Sequence, residues 1–222
     1  MITTKSHNDY YKKYKCEYLD LKRNDPHNDN FYFVHNTTDI NSIISMIKTG
    51  ILFIGKYVEK SKRKHSGKEP RDYIYTNIYF EDLKNLSHFM DYSIILYPNI
   101  IHKYGAVFNQ GWQVFPGKEN SIHFFKNETP DEFNKKMDDV KSFLKNPNTL
   151  PGIIQGAPGL LHHEFLFNHN IKLKDSLIGI ICNWCSSDEV DKLNKLLEKY
   201  SYCNVRISTT NLPFRLNESL NN

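Results

Sequence analysis

Long apolar runs are missing from this chain of 222 residues. No stretch approaches the ~20 consecutive apolar residues of a membrane-spanning helix. Residues Met1–Lys15 are polar and rich in Tyr and Lys, without the apolar core of a secretory signal. A soluble protein of the cell interior, with no membrane partner, is the expectation. Cysteine is scarce: Cys16, Cys182, Cys185 and Cys203 are the four, and inside a cell they are expected to be reduced thiols. There is no Walker loop, no Gly-rich dinucleotide fingerprint and no Gly-x-Ser-x-Gly elbow, which removes three large enzyme classes. No internal repeat is visible, and no histidine, cysteine or carboxylate spacing makes a convincing metal site. Charge of one sign is not in large excess either. Lys and Arg number 29 against 25 Asp and Glu, a net +4 that permits contact with a polyanion without requiring it.

What the chain does have is tyrosine and phenylalanine, 14 of each, enough for a substantial core. Residues 1–23 form a distinct arm. Tyr11, Tyr14, Tyr18 and Leu21 make a helical seam, with Lys12, Lys13, Lys15, Lys22 and Arg23 on the other faces. This Tyr/Lys-rich run resembles an N-terminal segment shared by many otherwise unrelated proteins of giant DNA viruses. The resemblance implies a viral protein, placed in the host cytoplasm or the virion, with residues 1–23 available to a virion or host partner. A turn-rich linker, 24–30, separates the arm from the main domain.

The domain, residues 31–210, opens with the strand Phe31-Tyr32-Phe33-Val34-His35. Thr38 or Asp39 caps a helix from Ile40 to Lys48, closed by Gly50 as its C′ residue. A short strand at 51–54 leads to a long basic loop, 56–72. Tyr73–Phe80 is a β-rich run with Tyr73, Tyr75 and Tyr79 on one face. A helix over 81–90 and a strand over 92–97 follow, then an ambiguous stretch, 99–128, with strands near 112–115 and 122–125. Thr129-Pro130-Asp131-Glu132 is a capping box with proline at N1, starting a helix to about Leu144. A Pro/Gly-rich loop, 146–160, leads into His162-His163-Glu164-Phe165-Leu166-Phe167, which sets one carboxylate at the head of an apolar strand. A second nearly unbroken apolar run, 176–182, reads as a strand buried on both faces. Ser186 to Glu189 cap a helix to Tyr200, Cys203–Ile207 is a last strand, and 211–222 is a flexible tail.

Two constellations could carry chemistry. The first is His35-Asn36-Thr37 with the tyrosine strand and Glu164. His35-x-Thr37, the helix ending at Gly50-Ile51-Leu52, and His163-Glu164-Phe165-Leu166-Phe167 together resemble the ADP-ribosyltransferase superfamily. The similarity is to the branch of poly(ADP-ribose) polymerases and diphtheria toxin, and equally to bacterial enzymes that ADP-ribosylate DNA. It covers residues 31–80 and 160–182. The resemblance implies an α+β single domain on a mixed or split central β-sheet with flanking helices, here preceded by the N-terminal helix. It further implies that Glu164 followed by Ile171–Ile181 forms a closing hairpin.

It also implies an enzyme that uses NAD as a substrate and a protein or nucleic acid as acceptor, without a metal. Glu164, His35 and Tyr75 would be catalytic. His35, Asn36, Thr37, Arg71, Tyr73 and Tyr75 would bind NAD, with the stacking tyrosine open among Tyr75, Tyr73 and Tyr79. The chemistry suits these residue types. Loss of nicotinamide leaves an oxocarbenium-like cation that a carboxylate on the ribose 2′-hydroxyl stabilises, and a tyrosine ring stacks on the flat nicotinamide. The same residues also fit plain structural roles: His35 as a strand-end histidine, the tyrosines as core, Arg71 as a surface residue, Glu164 as an ion-pair partner. In that case the protein is a non-enzymatic binding or virion-associated scaffold.

The second constellation is Cys182-Asn183-Trp184-Cys185, between a strand and a helix, a spacing known from redox motifs. The helix cap falls after both cysteines, which counts against that use. A two-histidine phosphoesterase is rejected, because none of the other nine histidines has Thr or Ser at +2.

Overall fold

A computed structural model of the chain describes residues 31–37, 39–57, 72–80, 91–110, 121–145 and 163–209. The arm and linker (1–30), the helix at 81–90, the strand at 112–115, Arg71 with most of the basic loop, the 146–160 loop and the tail lie outside these residues.

Aromatic and β-branched residues favour extended backbone, and they make the first strand, β1 (Phe31–Thr37). Asp39 then turns the chain into helix α1 (Ile40–Thr49). Its carboxylate accepts from the Ser42 N–H at 2.9 Å and from the Ser42 hydroxyl at 3.2 Å. Gly50 ends the helix in the left-handed region (φ 68°), its N–H donating to the Met46 carbonyl at 2.9 Å, as the sequence predicts. Tyr202 bolts this helix down: its hydroxyl donates to the Ile47 carbonyl at 3.1 Å, and burial pushes its pKa up to about 12.

The remaining strands are β2 (Ile51–Leu52), β3 (Ile74–Phe80), β4 (Tyr92–Leu96), β5 (Ala106–Gln110), β6 (Ser121–Phe124), β7 (His163–Phe167), β8 (Ile171–Lys172), β9 (Leu177–Cys182) and β10 (Arg206–Ser208). The other helices are α2 (Ile100–Tyr104), α3 (Pro130–Lys145) and α4 (Ser187–Lys199). The main sheet runs β10-β9-β4-β1-β3-β7-β5-β6, while β2 and β8 form a separate ribbon. Every neighbouring pair in the main sheet is antiparallel except β9 and β10, which α4 connects. The fold is α+β on a mixed sheet.

One face of the sheet carries the larger core. Phe31, Phe33, Ile78, Phe80, Ile94, Phe108, Phe165 and Phe167 pack there with Ile43 and Ile47 of α1, Phe133 and Val140 of α3, and Leu193 and Leu197 of α4. A smaller cluster, Tyr32, Val34, Tyr79, Ile95, Ile178 and Ile181, occupies the other face. Capping boxes start two of the helices. Thr129 and Glu132 bond reciprocally at α3, where the Thr129 backbone N–H and hydroxyl hold the Glu132 carboxyl below its usual range. Ser186 and Glu189 do the same at α4. Among the described residues no helix is long and apolar enough to cross a membrane.

Two expectations need correction. Strand β7 and the apolar run after it are not a hairpin: β8 pairs with β2, and β9 lies four places from β7 across the sheet. The reason is a 3₁₀ turn at Leu173–Asp175, after which Tyr97 N–H bonds the Ser176 carbonyl and delivers β9 to β4. The cysteines also differ from the expected free thiols. Cys182 and Cys185 are disulfide-bonded, with Cα atoms 5.4 Å apart, and no cysteine among the described residues is free. Cellular compartment alone does not anticipate that the turn between them holds both sulfurs at bonding range.

Candidate functional site

The site begins where β1 and β3 part. Their ladder runs from Phe31↔Phe80 to Val34↔Asn77 and stops there. Beyond it, β1 continues on β4 alone (His35↔Ile94, Asn36↔Ser93, Thr37↔Tyr92). Strand β3 continues on β7 alone (Tyr75↔Leu166, Ile74↔Phe167). The sheet is split from His35 and Tyr75 outward.

His35 fills the head of this split. Its Nδ1 lies 2.8 Å from the Tyr75 carbonyl, a side-chain bond in place of the lost ladder. A carbonyl oxygen only accepts, so Nδ1 carries the proton. Desolvation by burial holds the pKa of His35 below its usual value, outweighing the Tyr75 carbonyl, which pulls the other way. The ring is therefore neutral at pH 7, with Nε2 as an acceptor.

Glu164 belongs to a row of directly paired residues that crosses six strands: Ile95, Val34, Asn77, Glu164, Asn109 and Ser121. All six side chains share one sheet face, since side chains alternate with period two. Polarity changes abruptly along the row. Ile95 and Val34 are fully buried and apolar, and from Asn77 onward every member is polar. Directly paired residues have Cβ atoms about 4.5–5.5 Å apart, so Glu164 has a carboxamide neighbour on each side. Sequence reasoning does not single out Asn77 or Asn109. Asn109 lies in the stretch that reads as ambiguous, and Asn77 stands among more conspicuous tyrosines. Only the pairing register reveals them.

Alternation puts Asn36, Tyr75 and Glu164 on this same face. The structure thus joins His35 to the Tyr75 backbone by a hydrogen bond and sets Asn36, Tyr75 and Glu164 on one face. Glu164 stands one strand beyond β3, level with the last β1–β3 pair, while alternation puts His35 with Phe33 and Ile94 on the opposite face. Asn36 accepts from the Ser93 hydroxyl at 2.7 Å. Thr37 serves the local backbone instead. Its hydroxyl donates to the Asp39 carbonyl at 3.1 Å and accepts from the Asp39 N–H at 3.3 Å, shaping the entry to α1. Tyr73, half-buried, precedes β3. Tyr79 is buried and stacked on Tyr32, ring centroids 4.7 Å apart. Arg71 is outside the described residues.

Residues 28–147 match the model of a family of unknown function (DUF5846). An uncharacterized protein of Acanthamoeba polyphaga mimivirus is 38% identical over 239 aligned positions, spanning 99% of this chain and 88% of that protein. The chain belongs to this DUF5846 family. A giant virus thus encodes a relative that this chain matches over nearly its whole length, in keeping with the resemblance of residues 1–23 to viral N-terminal segments. Among solved structures, Thermus sp. 2.9 DarT in complex with ADP-ribosylated ssDNA aligns over 82% of this chain and 95% of its own, with a TM-score of 0.47 and 11% identity.

Proposed function

We propose that this DUF5846 protein is an NAD-dependent ADP-ribosyltransferase acting on a macromolecular acceptor. The observation that carries the proposal is the split between β1 and β3, headed by a neutral His35, with Asn36 and Tyr75 at its edges and Glu164 one strand away on the face those two share. In this reading the nicotinamide ribose lies across the split. Glu164 accepts a hydrogen bond from the ribose 2′-hydroxyl and stabilises the cation that forms as the C1′–N bond breaks and nicotinamide leaves. The acceptor's nucleophile then bonds to C1′ and loses its proton to solvent. Nε2 of His35 accepts from a ribose hydroxyl. Tyr75 stacks on nicotinamide, and Asn36 holds its amide.

The test uses full-length protein with NAD and two acceptors, single-stranded DNA and a mixed protein substrate, following nicotinamide release and acceptor labelling. Wild type should raise its melting temperature with NAD by mass action and release nicotinamide. Glu164→Gln should keep the NAD-dependent shift and lose at least about 100-fold in turnover, the usual cost of deleting a charge-stabilising group. Wild type that neither shifts nor releases nicotinamide at millimolar NAD ends this proposal and leaves the scaffold role.

A further inference from the structure

The disulfide at the end of β9 lies outside the proposed site and carries an inference of its own. We infer that Cys182 and Cys185 form a reversible thiol–disulfide exchange site, entered through Cys185 and oxidised by a low-molecular-weight disulfide of the glutathione class. Its position is specific. Cys182 pairs with Tyr92, which pairs with Thr37, so the cysteines sit at the same end of the sheet as the split.

Hydrogen bonds that involve no sulfur set the geometry of the loop. The Cys185 N–H donates to the Cys182 carbonyl at 3.2 Å, and the Asn183 N–H donates to the Asp91 carbonyl at 2.9 Å. The Trp184 indole N–H donates to the Asp91 carboxylate at 2.6 Å. On reduction these bonds keep the two thiols facing each other, and a pre-positioned pair reacts as though at very high concentration. The two sulfurs differ in access. Cys182 is fully buried as the last residue of β9, while Cys185 is partly exposed and follows Trp184, which is 75% exposed. An incoming disulfide therefore meets Cys185. A metal is a poorer occupant, since among the described residues no third ligand joins the pair.

Atoms and electrons balance in this exchange. The Cys185 thiolate attacks one sulfur of the small disulfide, forming a mixed disulfide and expelling one small thiolate. Cys182 then loses its proton and attacks the Cys185 sulfur, closing the Cys182–Cys185 bond and expelling the second. Two protein thiols are oxidised, one small disulfide is reduced to two thiols, and two electrons and two protons move.

The full-length protein would be equilibrated with reduced and oxidised glutathione in varied ratio, trapped with an alkylating agent and mapped by peptide mass spectrometry, which separates this pair from Cys16 and Cys203. The closed Cys182–Cys185 bond should rise from near absence to near completion across ratios within the glutathione range, reversibly from both directions. Cys182→Ser should accumulate the glutathione adduct on Cys185, and Cys185→Ser should leave Cys182 unmodified. A bond that survives excess reduced glutathione in the folded protein would make the pair a fixed staple and overturn the inference. So would wild type that stays dithiol at every ratio, or that stops at the mixed disulfide. The wild-type titration decides the matter even if a variant does not fold.

Discussion

Residues Phe31–Val34 of β1 are buried, and their pairing to β3 is matched by pairing to β4 from Phe33 onward, whereas His35–Thr37 of the same strand pair with β4 alone. The first half contributes to both apolar clusters. The second half is His-Asn-Thr, with each side chain bonded to a partner: His35 to β3, Asn36 to β4 and Thr37 to the start of α1. The contrast shows how a sheet gives up pairing on one side of a strand without breaking the strand. Ladder bonds on one side are given up, and a histidine side chain replaces one of them. The cost is limited because the other side of β1 stays paired.

Phe33→Ala puts this contrast to its most severe test. Phe33 is fully buried against Phe31, Phe165 and Phe167, so the substitution should cost about 3–5 kcal/mol in denaturant unfolding. A loss below about 1 kcal/mol would contradict its placement in the core. Ser93→Ala probes the split half. It takes the hydroxyl donor from Asn36 and should cost about 1 kcal/mol, the usual worth of such a bond, so a loss as large as that of Phe33→Ala would erase the distinction.

A pH dependence is the weakest of these effects. Because burial lowers the His35 pKa, the unfolded chain takes up its proton first as pH falls. Stability from this group is complete above about pH 6.5 and lost as pH drops through the lowered native value. Unfolding free energies of wild type and His35→Gln, compared from pH 7.5 to 5, should converge toward acid. Parallel curves would mean that His35 is not held neutral.

Much of this architecture is legible in the residues. Gly50, the Thr129–Glu132 box and the Ser186–Glu189 box fix helix ends through local bonds that their own sequence spells out, and α+β on a mixed sheet is what the family resemblance of residues 31–80 and 160–182 implies. The strands β1, β3, β4 and β9 announce themselves as apolar runs. The short helix Ile100–Tyr104 and β5 are not legible in this way, since the turn joining them depends on a distant contact. Gly105 takes φ 68° there, and a Cβ would lie 2.9 Å from the Phe124 carbonyl oxygen. The destination of β9 and the pairing of Glu164 with Asn77 and Asn109 are facts of register between remote segments, and a one-residue slip would turn each side chain to the other face. Local pattern carries no information about such pairings.

The place of β7 has a consequence for how the chain is made. It lies between β3 and β5, yet both of those strands leave the ribosome well before it. Until residues 163–167 emerge, β3 and β5 each present a row of unpaired backbone groups, which invite pairing with other chains. The strand that seals both edges is also the one that brings Glu164. A nascent chain therefore cannot join β3 to β5 without its carboxylate, nor present that carboxylate in its row before those two edges are covered.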